Sequence, residues 1–455
     1  MKRRIFILIL TCLVSSCMKD TQFQDFTSQA KSTINILPEA QLNIDINGEG
    51  EIEKTLISIS DRKYKYVLNS IPKDGWNFVE WNYENKVSYT PTLTITIEKE
   101  TDLRVDFVNV QSNFSFKKET IIELPNQIIW GLDFKKEDLI FTTKGGDIFL
   151  FKNQILKNLQ NPIRNNINSR GQGGLLDIKF HPNFDENQLV YILYTELITD
   201  SNFSKLVLAN FNLKNDQISN IQTVFKTNSL SSRSGHFGSR IAFSEDHMFI
   251  SIGEGSPSVG GTNTPYKNAQ NLNNDWGKIH RLYHDGSIPP DNPFTETSIF
   301  SIGHRNPQGL VYNPYSKNLI STEHGPQGGD EINLVEAGEN YGWPLVSYGI
   351  NYDGSDISGK SHSGFKEPIY YWDPSIAISQ IILLKNTNHN NWFGSYLVCG
   401  LRSNAIHRIG YSEDKFVEFE RIHIGERVRS VTNGKAGEFY ISTDSGKIIK
   451  FSPSN

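Results

Sequence analysis

The chain has 455 residues, of which 37% are hydrophobic and 21% are charged, and its formal net charge is -5. These values are typical of an ordered globular protein that can bury a hydrophobic core, and they exclude a disordered or collagen-like chain. The balance of 45 Lys and Arg against 50 Asp and Glu argues against nucleic-acid binding, which needs a broad positive surface.

The N-terminal residues have the pattern of an export signal. Basic residues at positions 2–4 precede an apolar stretch over residues 5–14, which is too short to cross a bilayer as a helix. The sequence Val-Ser-Ser-Cys ending at Cys17 is similar to the lipobox of bacterial lipoproteins, which implies a signal peptide over residues 1–16 and lipidation of Cys17. Cleavage near an incidental cysteine is the alternative. We expect an exported lipoprotein held by its lipid to a membrane, in the periplasm or at the outer membrane or cell surface.

Residues 17–35 are polar and are interpreted as a linker, and residues 36–112 have the pattern of a small all-β domain. Hydrophobic and polar residues alternate over 93–97 and 103–107, which is the period of a half-buried strand. The pattern Gly-Trp-x-Phe-x-x-Trp at residues 75–81 resembles the internalin-type B-repeat module of bacterial surface proteins. That resemblance implies a spacer or adhesion module.

Residues 113–455 repeat a unit of two short alternating strands, each unit beginning after a small-residue turn. The six pairs of strands cover residues 130–134 and 139–143, 174–180 and 190–195, 239–243 and 248–253, 309–312 and 319–322, 378–384 and 395–399, and 428–431 and 438–443. Units of roughly 57 residues have room for four strands and long loops, the content of a propeller blade. The sequence therefore predicts an all-β fold, a six-bladed β-propeller after the small all-β domain. An irregular β-sandwich array explains the recurrence less well.

A propeller brings distant residues to one mouth of its central channel, because the loops that enter the innermost strands meet there. The residues at these loops are mostly basic or hydrogen-bonding: Gln172, His236, Arg305, Asn306, Trp372, Arg427 and Arg429, with Arg402 after the second strand of the fifth unit. Planar guanidinium groups suit carboxylates. We expect this mouth to bind a small anionic ligand.

Six motif blocks follow one another along the propeller: Gly-Gln-Gly-Gly-Leu-Leu (171–176) with Phe-His-Pro-Asn-Phe (180–184), Gly-Lys-Ile-His-Arg (277–281), Gly-His-Arg-Asn-Pro-Gln-Gly (303–309), Glu-His-Gly-Pro (323–326), Gly-Asp-Glu-Ile-Asn-Leu (329–334) and Asn-Tyr-Gly-Trp-Pro (340–344). Together they strongly resemble the soluble glucose and aldose sugar dehydrogenases that depend on pyrroloquinoline quinone (PQQ), over about residues 120–450. The resemblance implies oxidation of aldose sugars at C1 to lactones, with PQQ as hydride acceptor and calcium as the metal.

The same resemblance assigns roles to individual residues. The implied catalytic residues are His236 as general base and Arg305 with Asn306 at the reactive quinone oxygens. The implied further cofactor contacts are His324, Arg402, Arg427 and Arg429, and the implied substrate contacts are Gln172 and Trp372. The implied calcium ligands are the carbonyl groups of Gly325 and Pro326, with Asp330 and Tyr341 touching the metal through water. A neutral imidazole suits a base near pH 7, and oxygen ligands suit calcium.

Two positions depart from the glucose enzymes. An acidic residue precedes their histidine base, where this chain has Gly235. Either another group orients the ring of His236 or its basicity is lower. Those enzymes also carry Lys at the position of Arg402, so the charge is kept but its contact geometry changes.

Three functions remain open from the sequence. The first is a PQQ- and calcium-dependent dehydrogenase acting on an aldose sugar, with an unidentified electron acceptor and the option of forming a homodimer. The second is a non-enzymatic carbohydrate-binding or adhesion propeller, since fold alone does not fix function. The third is a calcium-dependent lactonase, which predicts side-chain carboxylate ligands in the channel.

Overall fold

The computed structural model describes residues 41–60, 63–73, 76–84, 86–88, 92–109, 116–198, 204–229, 235–255, 267–357, 363–385, 392, 394–412 and 415–453. The predicted signal peptide, Cys17 and the polar linker lie outside the described residues. Within these ranges, no helix has the length and apolar character needed to cross a membrane.

Seven strands form a small N-terminal domain: β1 (Leu42–Asn47), β2 (Gly50–Ser60), β3 (Lys63–Pro72), β4 (Trp76–Tyr83), β5 (Lys86–Ser88), β6 (Thr92–Ile97) and β7 (Thr101–Asn109). One sheet has the order β1-β7-β4-β5, with β1 parallel to β7, and the other has the order β2-β3-β6. Both sheets contribute to a single core, in which Leu68, Trp81 and Val105 are fully buried. Every second residue of β6 is buried, as its alternating sequence predicts.

The rest of the described chain forms six four-stranded sheets. Blades one to three are β9 (Ile129–Lys135), β10 (Asp138–Thr143), β11 (Ile148–Lys152) and β12 (Ile155–Leu159); β13 (Leu175–Phe180), β14 (Leu189–Leu197), β15 (Ser204–Lys214) and β16 (Gln217–Lys226); and β17 (Arg240–Phe243), β18 (His247–Ile252), β19 (Lys278–Tyr283) and β20 (Ile299–Ile302). Blades four to six are β21 (Pro307–Asn313), β22 (Asn318–Glu323), β23 (Asp330–Val335) and β24 (Tyr370–Trp372); β25 (Ile378–Leu383), β26 (Tyr396–Gly400), β27 (Ala405–Ser412) and β28 (Lys415–His423); and β29 (Val428–Asn433), β30 (Phe439–Thr443) and β31 (Lys447–Pro453) with β8 (Phe116–Glu123). The described helices are α1 (Phe184–Asn187) and two 3-10 turns, Arg164–Asn166 and Lys267–Gln270.

The blades form a closed ring. The innermost strands β9, β13, β17, β21, β25 and β29 contact one another in that order, and β29 contacts β9 again. The sixth blade is completed by β8, which precedes the first blade in sequence and pairs antiparallel with β31. The predicted six-bladed propeller and its small all-β partner are confirmed, and the strand pairs recognised in the sequence are the two inner strands of each blade.

A buried arginine connects the inner strands at the propeller axis. The side chain of Arg240, at the start of β17, has no exposed surface. Its Nε donates to the carbonyl of Gln308 at 2.7 Å, Nη1 to that of Trp130 at 3.3 Å and Nη2 to that of Arg429 at 3.2 Å. Nη1 also pairs with Asp177 of β13 at 3.3 Å. One guanidinium thus joins five of the six blades.

Candidate active site

A cavity of about 630 Å³ lies at the end of the ring where the innermost strands begin. We call it the mouth cavity. Its polar and charged lining comprises Lys144, Gln172, His236, Arg305, Asn306, Gln308, His324, Gln327, Ser375, Arg402, Arg427, Arg429 and Asp444. Gly325 and Pro326 also line it, as do Trp130 and Tyr352. The structure therefore brings together ten of the residues singled out in the sequence, which lie up to 257 positions apart (172 to 429).

Two arginines are fixed by one carboxylate. Asp444 accepts hydrogen bonds from Arg427 Nε at 2.8 Å and from Arg429 Nε and Nη2 at 2.8 and 2.9 Å. Arg429 Nη1 donates to Gln308 at 3.2 Å, and its guanidinium lies 4.3 Å from the ring centre of Trp130. Burial would raise the pKa of Asp444, but the two guanidinium groups hold it below its ordinary value. The arginines are consequently oriented before any ligand arrives.

His236 lies in a strained turn held from three sides. Its φ is 54°, in the left-handed region. Its amide donates to Gln172 Oε1 at 2.8 Å, and its carbonyl accepts from Gly255 at 3.0 Å. A Cβ on Gly253 would lie 2.1 Å from that carbonyl oxygen, so this close approach requires glycine. Strain of this kind persists only where its surroundings enforce it, which is common at functional sites.

The carboxyl group of Glu254 orients the imidazole of His236. His236 Nδ1 lies 2.9 Å from Glu254 Oε1, and the Glu254 side chain is 1% exposed. Because a carboxylate only accepts, Nδ1 carries the proton and Nε2 keeps its lone pair. Burial, with the nearby Arg305 and His324, lowers the pKa of His236 well below its ordinary 6.5. The ring is neutral at pH 7 and can accept a proton.

Arg305 and Asn306 are held by the neighbouring backbone. Arg305 Nη1 donates to the carbonyls of His324 at 3.0 Å and Gly325 at 2.6 Å, and its guanidinium lies over the ring of Trp343 at 5.1 Å. Asn306 Oδ1 accepts from the amide of Gly238 at 3.0 Å. Asn306 therefore also stabilises the turn that carries the histidine.

Three cavity-lining residues have a buried nitrogen atom without a hydrogen-bond partner among the described residues, namely Arg305 Nε, His324 Nε2 and Trp130 Nε1. Burial and the cationic Arg305, Arg429 and Arg427 lower the pKa of His324 to about 3. A buried polar atom without a hydrogen-bond partner destabilises the fold, because it has lost its contact with water and gained none in return. A ligand that bonds to such an atom removes this cost. This side of the cavity is thus prepared for a polar ligand.

Asp330 and Tyr341 do not line the mouth cavity, and their expected contact with a metal through water stays a prediction. Both Asp330 oxygens are occupied: Oδ1 accepts from the amide of Gly325 at 2.9 Å, and Oδ2 from Ser375 Oγ at 2.7 Å and the amide of Ile378 at 3.1 Å. Burial raises the pKa of Asp330 to about 6. Its observed role is to fix the loop that presents Gly325.

Tyr341 is likewise a packing residue. Its hydroxyl donates to the carbonyl of Leu334 and accepts from the amide of Glu336 at 3.0 Å, and its ring stacks on His304 at 4.7 Å. Across the described residues, no group of three or more His, Cys, Asp or Glu side chains is placed to hold a metal ion. A metal here would have to rely on carbonyl oxygens and on a bound ligand.

Trp372 corrects the expectation of a substrate contact, because it lies in the core between blades rather than at the cavity. It belongs to β24, the outermost strand of blade four, and its Nε1 donates to Glu418 at 2.9 Å. The innermost strand of blade five begins six residues later, at Ile378. Ser375 and Ala377 line the cavity in its place.

Several residues of the site were missed from the sequence, among them Lys144, Trp130, Tyr352, Asp444 and Glu254. Asp444 was detectable, since it follows Thr443 in the acidic position after a second strand. Glu254 lies in Gly-Glu-Gly at the end of β18, and only the fold brings it back to His236. Lys144 follows β10 in the same way, and burial with the nearby Arg429 lowers its pKa.

Comparison with known proteins gives matches that agree with this geometry. Residues 126–450 match the model of the glucose/sorbosone dehydrogenase family, and β1–β7 lie outside that match. The chain is 34% identical to aldose sugar dehydrogenase YliI of Escherichia coli K12 over 346 residues, covering 72% of this chain and 90% of that protein. It is 34% identical to quinoprotein glucose dehydrogenase B of Acinetobacter calcoaceticus over 198 residues, covering 39% and 41%. The crystal structure of the soluble E. coli aldose sugar dehydrogenase in its apo-form superposes with a TM-score of 0.68 at 32% identity, covering 74% of this chain and 99% of that one.

Proposed function

The chain belongs to the glucose/sorbosone dehydrogenase family and is a sugar-oxidising enzyme, and we propose that it converts aldose sugars at C1 to lactones with PQQ and calcium. One observation carries the proposal: a single cavity places four arginines, three of them oriented by hydrogen bonds, beside a neutral imidazole that a buried carboxylate holds in the proton-accepting tautomer.

The mouth cavity fits a small polyanion. Arg305, Arg402, Arg427 and Arg429 line it with Lys144, and among the described lining residues one carboxylate, Asp444, faces them. PQQ carries three carboxylates, which guanidinium groups bind through paired hydrogen bonds. The buried nitrogen atoms of Arg305 and His324 that lack partners among the described residues are further donors or acceptors for it. These residues would hold the cofactor, with Arg305 and Asn306 toward its reactive carbonyl.

His236 supplies the base of the reaction. As C1–H leaves as hydride, the hydroxyl proton of C1 passes to Nε2 of His236, and the C1=O bond of the lactone forms. When bound, PQQ supplies the two-electron acceptor for that hydride. Glu254 then stabilises the imidazolium that results, since its carboxylate faces the Nδ1–H at 2.9 Å. The amide contact of Gln172 fixes the backbone of His236, and its side chain lines the space left for the sugar.

We propose that the carbonyl oxygens of Gly325 and Pro326 would bind calcium and that oxygen atoms of the cofactor would complete its coordination. Oxygen ligands, including backbone carbonyls, are those that calcium prefers. Asp330 supports this arrangement from behind, because its bond to the Gly325 amide fixes the direction of the loop. A lactonase is less favoured, since the single lining carboxylate of the described cavity, Asp444, is engaged by two arginines.

The proposal also places the enzyme outside the cytoplasmic membrane, tethered through Cys17. The sequence over residues 14–17 supports this, because a diacylated cysteine anchors a protein stably. Replacing Cys17 by Ala should move the protein from the membrane fraction to the soluble fraction. Retention in the membrane fraction would refute the anchor.

The deciding experiment reconstitutes the purified protein with PQQ and calcium and follows dye reduction on a panel of aldoses, with product analysis for the lactone. His236→Gln should abolish turnover while quinone binding is kept. His247→Gln is the matched control, a histidine of the same blade that does not line the mouth cavity. Absence of turnover on every sugar, together with absence of quinone binding, would reject the proposed function.

A further inference from the structure

The N-terminal domain contacts the propeller through a partly buried ion pair. Glu80 of β4 pairs with Arg421 of β28, in blade five, and the two side chains are only 14% and 18% exposed. Glu80 is also close enough to influence Tyr370 in blade four. Fully exposed ion pairs contribute little to stability. Where a pair is largely withdrawn from solvent, removing one partner is costly because the other charge is left unpaired. The contact therefore fixes this carboxylate against blade five.

Arg421 belongs to a polar network that runs inward from this contact. Its Nε donates to Glu418 Oε1 at 2.9 Å, and the same oxygen lies 2.9 Å from His407 Nδ1. His407 Nε2 in turn lies 2.8 Å from Ser403 Oγ. We call Ser403, His407, Glu418 and Arg421 the Glu418 network. Trp372 joins it through the bond to Glu418, which is the role this side chain has in the fold.

The charge states make the network directional. Burial raises the pKa of Glu418, but His407 and Arg421 more than offset this and bring it below its ordinary value. Burial lowers the pKa of His407. A neutral His407 donates from Nδ1 to the carboxylate and accepts the Ser403 hydroxyl at Nε2. Each member thus specifies the orientation of the next.

The network ends at the turn that carries Arg402. The amides of Arg402 and Ser403 both donate to the carbonyl of Ile376, at 2.9 and 3.2 Å. The turn is closely packed, since a Cβ on Gly400 would lie 2.0 Å from Ser403 Oγ. The Arg402 side chain lines the mouth cavity. A displacement of Ser403 would therefore move a guanidinium of the cavity wall.

We propose that the N-terminal domain stabilises the ligand-binding position of Arg402, with Glu80 as a positioning residue that acts through the Glu418 network. This goes beyond the spacer or adhesion role that the B-repeat-like sequence implies. It rests on the proposed function only in naming PQQ as the ligand that Arg402 receives.

The test compares full-length Glu80→Gln with Glu98→Gln. Glu98 is a matched control, because it forms an exposed ion pair with Lys63 inside the same domain. Two readouts are used: hydrogen–deuterium exchange of the amides of residues 401–408 without any ligand, and the Kd for PQQ with calcium. Glu80→Gln should speed exchange in this segment and weaken PQQ binding by about two- to thirtyfold, the range for residues coupled to a site through a network. Glu98→Gln should match the wild type in both.

A double variant tests whether the coupling runs through the network. Ser403→Ala removes the last hydrogen bond before Arg402, so Glu80→Gln should have no further effect on PQQ affinity in that background. Additive losses would overturn the proposed route. Wild-type exchange and affinity in Glu80→Gln would overturn the proposal itself. If the wild-type protein binds no PQQ, the proposed function fails, while the exchange measurement still decides the role of Glu80.

Discussion

Replacing Glu254 by Gln tests the proposed base most directly. The change keeps the size of the side chain but puts an amide beside His236 Nδ1, where the structure has a carboxylate oxygen at 2.9 Å. An amide carries no charge to stabilise the imidazolium, and when its NH2 faces Nδ1 it donates to that atom and favours the tautomer with the proton on Nε2. That is the atom that must accept the proton of the sugar. The ring would be held in place but with the wrong nitrogen free.

The expected loss follows from what a general base contributes. General base catalysis accelerates a reaction by about 10²- to 10⁴-fold. Replacing the orienting carboxylate by an amide should remove most of this acceleration, since the same Asp-to-Asn change in the serine protease triad lowers kcat by about 10⁴. Glu254 does not line the mouth cavity, so the Kd for PQQ should not change. The loss should therefore appear in kcat.

The assay is dye reduction by the reconstituted enzyme, with kcat, KM and the PQQ Kd measured from pH 4.5 to 8. Because burial and neighbouring cations lower the pKa of His236, the neutral base persists as the pH falls through 6.5, and wild-type activity should fall only below that value. Glu245→Gln, an exposed carboxylate on the same blade, is the control. A kcat for Glu254→Gln equal to that of the control, or a wild-type acid limb at or above pH 6.5, would refute the reasoning.

Three further predictions concern the supports of the site. Arg240→Met leaves Asp177 buried without its cation and should lower the free energy of unfolding by about 3–5 kcal/mol in urea titrations; unchanged stability would contradict the axial role of Arg240. Asp444→Asn makes the cavity more positive but releases two arginines, so calorimetry should show weaker PQQ binding, and tighter binding would mean that net charge outweighs orientation. The pKa of His324 is about 3 when folded and 6.5 when unfolded, so between these values the unfolded chain binds the extra proton and stability falls on acidification. When the pH is lowered from 7 to 5, the free energy of unfolding of His324→Gln should therefore fall by about 2 kcal/mol less than that of the wild type. Urea midpoints that fall equally in both proteins would refute this.

The overall fold and the composition of the mouth cavity were predictable because both depend on periodic features. Inner strands are hydrophobic and recur at similar spacing, and the residues just before them share one end of the ring. Gln172, His236, Arg305 and Arg427 all occupy that position, before β13, β17, β21 and β29. Once the strand starts are known, the residues that meet follow from topology alone.

The error at Trp372 comes from a strand that the sequence does not reveal. A loop of more than thirty residues separates β23 from β24, and the three-residue strand β24 then lies just before the entry to blade five. Trp372 was therefore assigned to the cavity, although it is the last strand residue of blade four. The resemblance assigns Asp330 and Tyr341 to the metal, and only the folded structure reveals that Asp330 also accepts from the amide of Gly325 and that the Tyr341 hydroxyl bonds to backbone groups.

The partner of His236 shows why a site can be kept when a local motif is not. The glucose enzymes have an acidic residue next to their histidine, and this chain has Gly235 at that position. Here Gly253 allows the segment after β18 to approach the backbone of His236, and the amide of Gly255 donates to the His236 carbonyl. Glu254 lies between these two glycines and therefore faces the imidazole ring. The chemistry requires a carboxylate near Nδ1 and sets no rule on its sequence separation. Gly253 is therefore as necessary to the base as Glu254, because any side chain there would separate the strand from the histidine turn and remove the contact.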